Sequence, residues 1–365
     1  MRILVSVLGG AAVIVCALAL VVQQGAVPPT RRVVVFGIDG ATWDVIEPMF
    51  AAGELPNLRR LYDHGVHGIL ESRPPALSPV VWSTMFTGRP HAEHGVKNWK
   101  TSHSTHRKVK ALWDITSESG LVTNVFNVPS TWPPTKVNGV MMSGFPLSGS
   151  HVGGGTGRVV SRQGISRGKA PGIYRENEGA IAKALAPLPE GDWSPWFDVA
   201  LRRDPDVRGR MKAMGLAGGS VYLSPFYRVD PGLVISYPAD LRRRIAAELV
   251  DDYIPEGPGW SRYGDEETPE YLYEHLVQVS RIQTRAASLF TPGEWDLFIY
   301  VNTLVDRVSH PYWAYMQPGD YEGLDPDKAR RFGSAVKDAY RETDRQLGDF
   351  LSGMDGPYYV VIASD

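Results

Sequence analysis

Continuous apolar runs alternate along the chain with segments that have helical spacing. The runs lie at residues 33–38, 121–126, 139–142, 297–301 and 358–362. Runs of this length without polar alternation are typical of strands that are buried on both faces. Amphipathic spacing predicts helices at 55–64, 271–290 and 335–351, between the runs. The alternation therefore predicts an α/β fold, a three-layer sandwich in which helices cover both sides of a mostly parallel central sheet.

This regular pattern is interrupted between residues 146 and 268. The interval opens with a glycine-rich segment at 151–155, and Trp, Pro and Arg are scattered through it. We interpret it as an inserted cap with helices of its own, for example at 241–250. The main α/β domain is then predicted in two parts, 30–145 and 269–365.

The N-terminal segment has a different character. Residues 3–22 carry no charge and follow Arg2 directly, which matches the length of a membrane-spanning helix and the position of an export signal. Ala26 is preceded at −3 by Gln24, a poor signal-cleavage site, so an uncleaved anchor is favoured within 1–29. Flanking charges hardly choose an orientation, and the extreme N-terminal position favours export to the periplasm or the extracellular side.

Composition excludes several classes of function. The net charge of −2 gives no electrostatic reason to expect binding to a nucleic-acid polymer. Cys16 is the sole cysteine, so neither an intrachain disulfide nor a cysteine-based zinc site is expected. With 365 residues, 43% of them hydrophobic, the chain is long enough to bury a large core.

Polar residues follow the predicted strands at the points where they end. They are Asp39, Asn127, Asn302 with Asp306 just beyond, and Asp365. Ligands of open parallel sheets bind outside the carboxyl ends of the strands, and three carboxylates there indicate a divalent metal. The alternative for each aspartate is an ordinary strand-end residue that caps a turn.

Ser78 precedes Pro79, and Gly88 lies ten residues after Ser78. Ser as the N-cap, Pro in the first turn and Gly after the end predict a short helix from Pro79 to Thr87. A phosphoryl group on Ser78 would then lie at the positive end of the helix dipole. Ser-Pro caps without any catalytic role are common, and that interpretation also stays open.

Asp306 and His310 are four residues apart. One helical turn would place carboxylate and imidazole on the same face, where they could bind a divalent metal together. An ordinary hydrogen-bonded pair on a helix surface has the same spacing.

The order of these features resembles the alkaline phosphatase superfamily, in particular its type I phosphodiesterase and nucleotide pyrophosphatase branch and bacterial phosphohydrolase-like members. The segments that carry the resemblance are 37–43, 55–58, 78–88, 94–96, 127–134 and 306–313. The likeness covers about 33–146 and 295–365, and it does not extend to most of the predicted cap.

The resemblance implies hydrolysis of a phosphodiester or phosphomonoester with two divalent metals, usually Zn²⁺, with Mn²⁺ or Mg²⁺ as alternatives. Ser78 falls at the position of the family's nucleophile and would form a covalent phosphoryl intermediate. Asp39 and Asp365 would bind the metal that activates Ser78, itself a ligand. Asp306 and His310 would bind the second metal, so that the two metals clamp the phosphoryl oxygens.

Two departures from the family pattern affect these expectations. The family has a His directly after the position of Asp365 and another further on, so four of the six expected protein ligands are in hand. The sequence is therefore predicted to be truncated, with weak metal binding and low or no activity. Val81 also replaces an Asn that binds the phosphoryl oxygen, and Asn98 or Asn127 are the candidates to substitute for it.

Two other classes of function stay open from the sequence. A phosphotransferase or phosphomutase would use the same Ser78 chemistry and pass the group to an alcohol. An inactive protein would keep the fold and bind without turnover. The particular ester is not predicted, because the residues that select it would lie in the cap.

Overall fold

The computed structural model describes residues 32–145, 158–161, 188–201, 204–228, 233–249 and 269–365. The helices are α1 (Trp43–Ala51), α2 (Pro56–His64), α3 (Ser78–Thr87), α4 (His91–His94), α5 (Leu112–Glu118), α6 (Leu241–Leu249), α7 (Pro269–Ser288), α8 (Leu304–Met316), α9 (Pro326–Phe332) and α10 (Ala335–Ser352). The strands are β1 (Arg32–Ile38), β2 (Thr123–Val128), β3 (Met141–Ser143), β4 (Arg158–Ser161), β5 (Phe197–Leu201), β6 (Asp204–Met211), β7 (Ala213–Gly215), β8 (Ser220–Leu223), β9 (Tyr227–Arg228), β10 (Ser236–Tyr237), β11 (Leu297–Asn302) and β12 (Tyr358–Ala363).

The predicted N-terminal anchor at 1–29 and the glycine-rich segment at 151–155 lie outside these described residues. Among the helices that the described ranges contain, none is both long and apolar enough to cross a membrane.

The central sheet has six strands in the order β10-β3-β2-β11-β1-β12. All neighbours pair in parallel except β10 and β3, which are antiparallel. The predicted α/β fold with a mostly parallel sheet is confirmed. Strands β1 and β11 are interior strands with a neighbour on each side, and both faces of the sheet are covered, which explains why their sequences are apolar without alternation.

Both faces of the sheet are covered. Val34 and Phe36 of β1 join one buried cluster, whereas Val35 between them joins the other. Helices α7, α8 and α10 contribute to the first cluster, and α3 contributes Trp82 and Phe86 to the second. Successive side chains of a strand point to opposite faces, so each face of β1 packs against a different helical layer.

Most of the predicted helices are found close to their predicted bounds. Helix α2 begins at Pro56 and ends before Gly65, as predicted, and α10 covers the predicted segment with ten buried residues. Helix α1 was not predicted. It contains Pro48 in its interior, and an interior proline argues against a helix because it removes a backbone donor.

The described part of the predicted cap contains two small sheets. Strands β4, β8 and β7 form one and β5, β6 and β9 form the other, all antiparallel. Strand β10 lies within the range 146–268, yet it pairs with β3 of the central sheet. The chain thus pairs with the main sheet before the predicted end of the cap. The sequence did not indicate this strand, because a run of two residues is too short to show a strand pattern.

A buried histidine joins the cap to helix α7. The Nδ1 atom of His275 lies 3.1 Å from the Tyr222 hydroxyl, and its Nε2 atom lies 2.9 Å from the Tyr227 hydroxyl. Burial, followed by the charge of Lys212, lowers the pKa of His275 to about 3. The imidazole is therefore neutral, with one nitrogen donating and the other accepting.

Candidate active site

The parallel register brings two of the predicted aspartates side by side. Gly37 pairs with Ala363, so Asp39 and Asp365 each follow at the same distance along adjacent strands. The backbone N–H of Gly40 donates to Oδ1 of Asp365 at 2.9 Å. Ser364 also joins the segments that follow β1 and β12, since its Oγ accepts from the Ala41 N–H at 2.8 Å. The carboxyl edge of the sheet therefore places both carboxylates in one site.

Asp39 is fully buried and is held by an indole. Nε1–H of Trp82 donates to Oδ1 of Asp39 at 2.6 Å, while Oδ2 of Asp39 has no hydrogen-bond partner among the described residues. The indole reaches this position because residue 37 is glycine: a Cβ there would lie 2.5 Å from the Trp82 ring. One carboxylate oxygen is thus fixed, and the other is left for a further ligand.

The electrostatics of the two carboxyl groups are unfavourable to charge. Burial raises the pKa of Asp39 well above its usual value, and the charges of Asp365 and Asp306 raise it further. Burial also raises the pKa of Asp365, although hydrogen bonds with the Gly40 N–H, the Asp39 carboxyl group and the Ser78 hydroxyl act in the opposite direction. Like charges this close disfavour ionisation, so a bound cation would relieve the repulsion.

Ser78 lies next to Asp365 in this edge. Its hydroxyl is close enough to Asp365 to be one of the groups that lower the pKa of that carboxyl group. The prediction of its place in the helix was off by one residue, since α3 begins at Ser78 itself and Leu77 is the N-cap. Leu77 has no polar side chain, so it makes no capping hydrogen bond, and assignments of helix ends commonly differ by one residue. Ser78 still lies in the first turn of a ten-residue helix.

Asp306 approaches Asp39 from the other side. Its backbone N–H donates to the Asp39 carbonyl at 3.1 Å. Gly40 makes this approach possible, because its φ is +69° and an added Cβ would lie 2.9 Å from Cβ of Asp306. His310 lies one turn along α8, with Nε2 at 3.3 Å from Oδ1 of Asp306. The side chain of His310 is 40% exposed and that of Asp306 is 21% exposed, so this pair faces solvent.

The donor set suits a divalent cation, but it is arranged as two pairs. No group of three His, Cys, Asp or Glu side chains within the described ranges is placed to hold one ion. Asp39 with Asp365 and Asp306 with His310 each offer two donors, whereas tetrahedral zinc takes four ligands. Carboxylate and imidazole are nevertheless suitable ligand types, and the unpartnered Oδ2 of Asp39 lies within the set.

The two asparagines proposed for substrate binding lie in different surroundings. Asn98 is exposed, and its Oδ1 accepts from the Lys100 N–H at 2.9 Å in a short capping turn. Asn127 is buried, and its Nδ2 donates to Val301 O at 2.8 Å and to Gln283 Oε1 at 3.2 Å. Because both amide donors of Asn127 are engaged in the core, a contact with a phosphoryl oxygen would require them to rearrange.

Three further residues shape the site without having been singled out for it. Trp82 donates to Asp39, Ser364 accepts from the Ala41 N–H, and Gly40 leaves the space that Asp306 occupies. The i,i+4 spacing of Ser78 and Trp82 does place them on one face of a helix. That spacing, however, does not reveal which side chain of another strand lies opposite.

The comparisons with known proteins agree with this geometry. The family model described as type I phosphodiesterase / nucleotide pyrophosphatase matches residues 33–365. No curated protein matches the chain. The match spans the central sheet, the described cap strands and every residue of the candidate site.

Proposed function

We infer the function from the family: the chain belongs to the type I phosphodiesterase / nucleotide pyrophosphatase family, within the alkaline phosphatase superfamily. We propose that it hydrolyses a phosphodiester or phosphomonoester through a phosphoryl group carried by Ser78. The family consists of phosphoric ester hydrolases. The observation that carries the proposal is the Ser78 hydroxyl beside Asp365, at the sheet edge where Asp39 and Asp306 also lie.

Ser78 supplies the nucleophile. Its Oγ attacks phosphorus and forms an Oγ–phosphorus bond while its proton passes to solvent, and the ester oxygen leaves with the bonding electron pair and takes up a proton. Water then attacks phosphorus and loses a proton, the Oγ–phosphorus bond breaks with its electron pair on Oγ, and Oγ takes up a proton, so that phosphate is released from a monoester or a phosphomonoester from a diester. The first turn of α3 favours the negative charge of the phosphoryl group, and the adjacent Asp365 carboxylate orients the Ser78 hydroxyl as its hydrogen-bond acceptor.

The family generally binds divalent metals, and we propose two, with Zn²⁺ preferred and Mn²⁺ or Mg²⁺ as alternatives. Asp39 and Asp365, with Ser78, would hold one, and Asp306 and His310 the other. When bound, such ions supply Lewis-acid stabilisation of the attacking and leaving oxygens. The raised pKa of Asp39 supports this assignment, since its ionised form needs a positive partner.

We also propose that residues 3–22 anchor the protein in a membrane and that the catalytic part is exported. The support is the uncharged length of this segment at the amino terminus. Protease digestion of intact and of permeabilised cells tests the proposal, because an exported domain would be cleaved without permeabilisation.

The experiment on the reaction uses residues 1–365 with bis(4-nitrophenyl) phosphate and 4-nitrophenyl phosphate, with added Zn²⁺, Mn²⁺ or EDTA. We expect metal-stimulated turnover in the parent and its loss in Ser78→Ala. Ser83→Ala is the matched control on the same helix, because its hydroxyl only donates to Pro79 O at 2.6 Å.

Unchanged turnover in Ser78→Ala would rule out the covalent route. Addition of an acceptor alcohol separates hydrolysis from transfer: free phosphate should dominate, whereas a phosphorylated alcohol as the main product would favour a phosphotransferase. Turnover that EDTA leaves unchanged would contradict the metal dependence.

A further inference from the structure

A buried set of polar side chains lies beneath the candidate site. It consists of Ser280 and Thr284 on α7, Asn302 at the end of β11 and Gln346 on α10, which we call the Gln346 network. Each of these side chains is at most 4% exposed. Buried polar groups are costly unless they are hydrogen-bonded, so the network has to be fully paired.

Gln346 is the centre of the network. Its Oε1 accepts from Thr284 Oγ1 at 2.6 Å, from Asn302 Nδ2 at 2.8 Å and from Ser280 Oγ at 2.9 Å. Its Nε2 donates to Oε1 of Glu342 at 2.8 Å. One amide group thus joins helices α7 and α10 to the end of a central strand.

The orientation of both amides follows from the two ends of the network. Leu304 N–H donates to Asn302 Oδ1 at 3.0 Å, and a backbone N–H can only donate. The Nδ2 group of Asn302 must then face Gln346, which requires the Gln346 oxygen there. At the other end the Glu342 carboxylate, whose pKa is held at about 2 against the effect of burial by hydrogen bonds from Arg281, Arg345 and Gln346, requires the amide N–H₂.

Asn302 connects this network to both pairs of proposed metal ligands. Its backbone carbonyl accepts from the Asp39 N–H at 2.9 Å. Its side chain accepts from Leu304, the first residue of α8, which carries Asp306 in its first turn. The N-cap Thr303 makes no side-chain capping bond, so Asn302 satisfies an otherwise free helix donor. One residue therefore holds the end of β11, Asp39 and the start of α8 together.

We propose that Gln346 and Asn302 are positioning residues that set the separation of Asp39 from Asp306, and so of the two cation-binding pairs. The inference rests on the proposed function, since that function assigns these aspartates to divalent cations. Supporting groups of this kind typically change metal affinity about 10- to 100-fold when they are altered. A merely structural network would change stability alone.

The test measures the affinity for Mn²⁺ or Zn²⁺ alone by calorimetry, together with the urea midpoint, on residues 1–365. Gln346→Met keeps the volume and removes the oxygen that accepts from Asn302. Thr284→Val is the matched control. It removes the hydrogen bonds of this hydroxyl to the same Gln346 oxygen and to Tyr300, neither of which belongs to α8.

We expect Gln346→Met to weaken the metal affinity about 10- to 100-fold and Thr284→Val to stay within about twofold. Equal metal affinity in Gln346→Met and Thr284→Val, with a lowered urea midpoint in both, would overturn the inference. Should Gln346→Met not fold, Asn302→Ser gives the same comparison, because its short hydroxyl cannot reach both Leu304 and Gln346.

Asp306→Ala separates this inference from the proposed function. If Asp306→Ala loses metal affinity while Gln346→Met keeps it, the proposed function stands and the positioning role is wrong. If Asp306→Ala binds the metal as the parent does, the cation assignment of the proposed function is itself wrong.

Discussion

The indole N–H of Trp82 donates to Oδ1 of Asp39 at 2.6 Å, with both residues fully buried. Trp82 lies one turn after Ser78 on α3, so one short helix carries the proposed nucleophile and orients the proposed ligand. This contact joins the helix layer on one face of the sheet to the end of strand β1. Its removal should therefore affect the site more than the fold.

Trp82→Phe tests this contact. It leaves Oδ1 of Asp39 buried without its donor, which costs about 1–3 kcal/mol of the free energy of unfolding, and we expect the affinity for Mn²⁺ to fall about tenfold or more. Phe86→Leu is the control, because Phe86 stacks on Trp82 and packs in the same cluster without touching Asp39. Calorimetric titration of both variants with Mn²⁺ measures the difference in affinity. An equal fall in metal affinity in the two would contradict the role of Trp82 in orienting Asp39.

Gly40→Ala tests the close approach of β1 to α8. Alanine at a φ of +69° costs about 1–2 kcal/mol, and its Cβ would also displace Asp306. Gly53→Ala is a matched control, since Gly53 has a φ of +73° with no atom within 4 Å of the added Cβ.

Both glycine variants should lower the urea midpoint, but Gly40→Ala alone should lose turnover, by about 100-fold. Similar turnover of 4-nitrophenyl phosphate esters in the two variants would mean that the position of Asp306 does not matter for the reaction.

His275 should make the fold sensitive to acid. Its pKa is lowered to about 3 in the folded state, against about 6.5 in an unfolded chain, so the unfolded state binds the proton first. The contribution of His275 is fully present above pH 6.5 and falls as the pH drops towards 3. Between pH 7.5 and 5.0 the free energy of unfolding should decrease by about 2 kcal/mol from this residue.

Urea unfolding of His275→Gln over that pH range measures the effect, because the variant should lose this part of the pH dependence. Tyr227→Phe is the control: it removes one hydrogen bond to the imidazole and should be less stable at every pH with the same slope. A pH dependence in His275→Gln equal to that of the parent would refute the neutral buried imidazole.

The central sheet and the carboxylates of the site are predictable from the sequence because both follow from local rules. An apolar run that ends in Asp, as at Asp39 and Asp365, identifies a buried strand and the edge where it stops, and parallel pairing brings such edges together. The helical spacing of Asp306 and His310 is local as well, and α8 contains both.

The residues that hold these groups are not predictable in the same way. Trp82, Gln346 and His275 each act through a partner more than 40 positions away, and only packing decides which partner that is. For Asn127 the sequence indicated an available amide, whereas the fold engages it with Val301 and Gln283. Long-range contacts of buried polar groups are thus the part that required the structure.

The covalent role of Ser78 can be measured directly. Residues 1–365 are quenched with acid during turnover of bis(4-nitrophenyl) phosphate with Zn²⁺ or Mn²⁺, and the label is located by peptide mass mapping. We expect a 4-nitrophenylphosphoryl group on Ser78, absent when EDTA is present and absent in Ser78→Ala. The readout is the position of the label and not the absolute rate. Hydrolysis that continues in Ser78→Ala at the parental rate, with no label at residue 78 of the parent, would contradict the covalent role of Ser78.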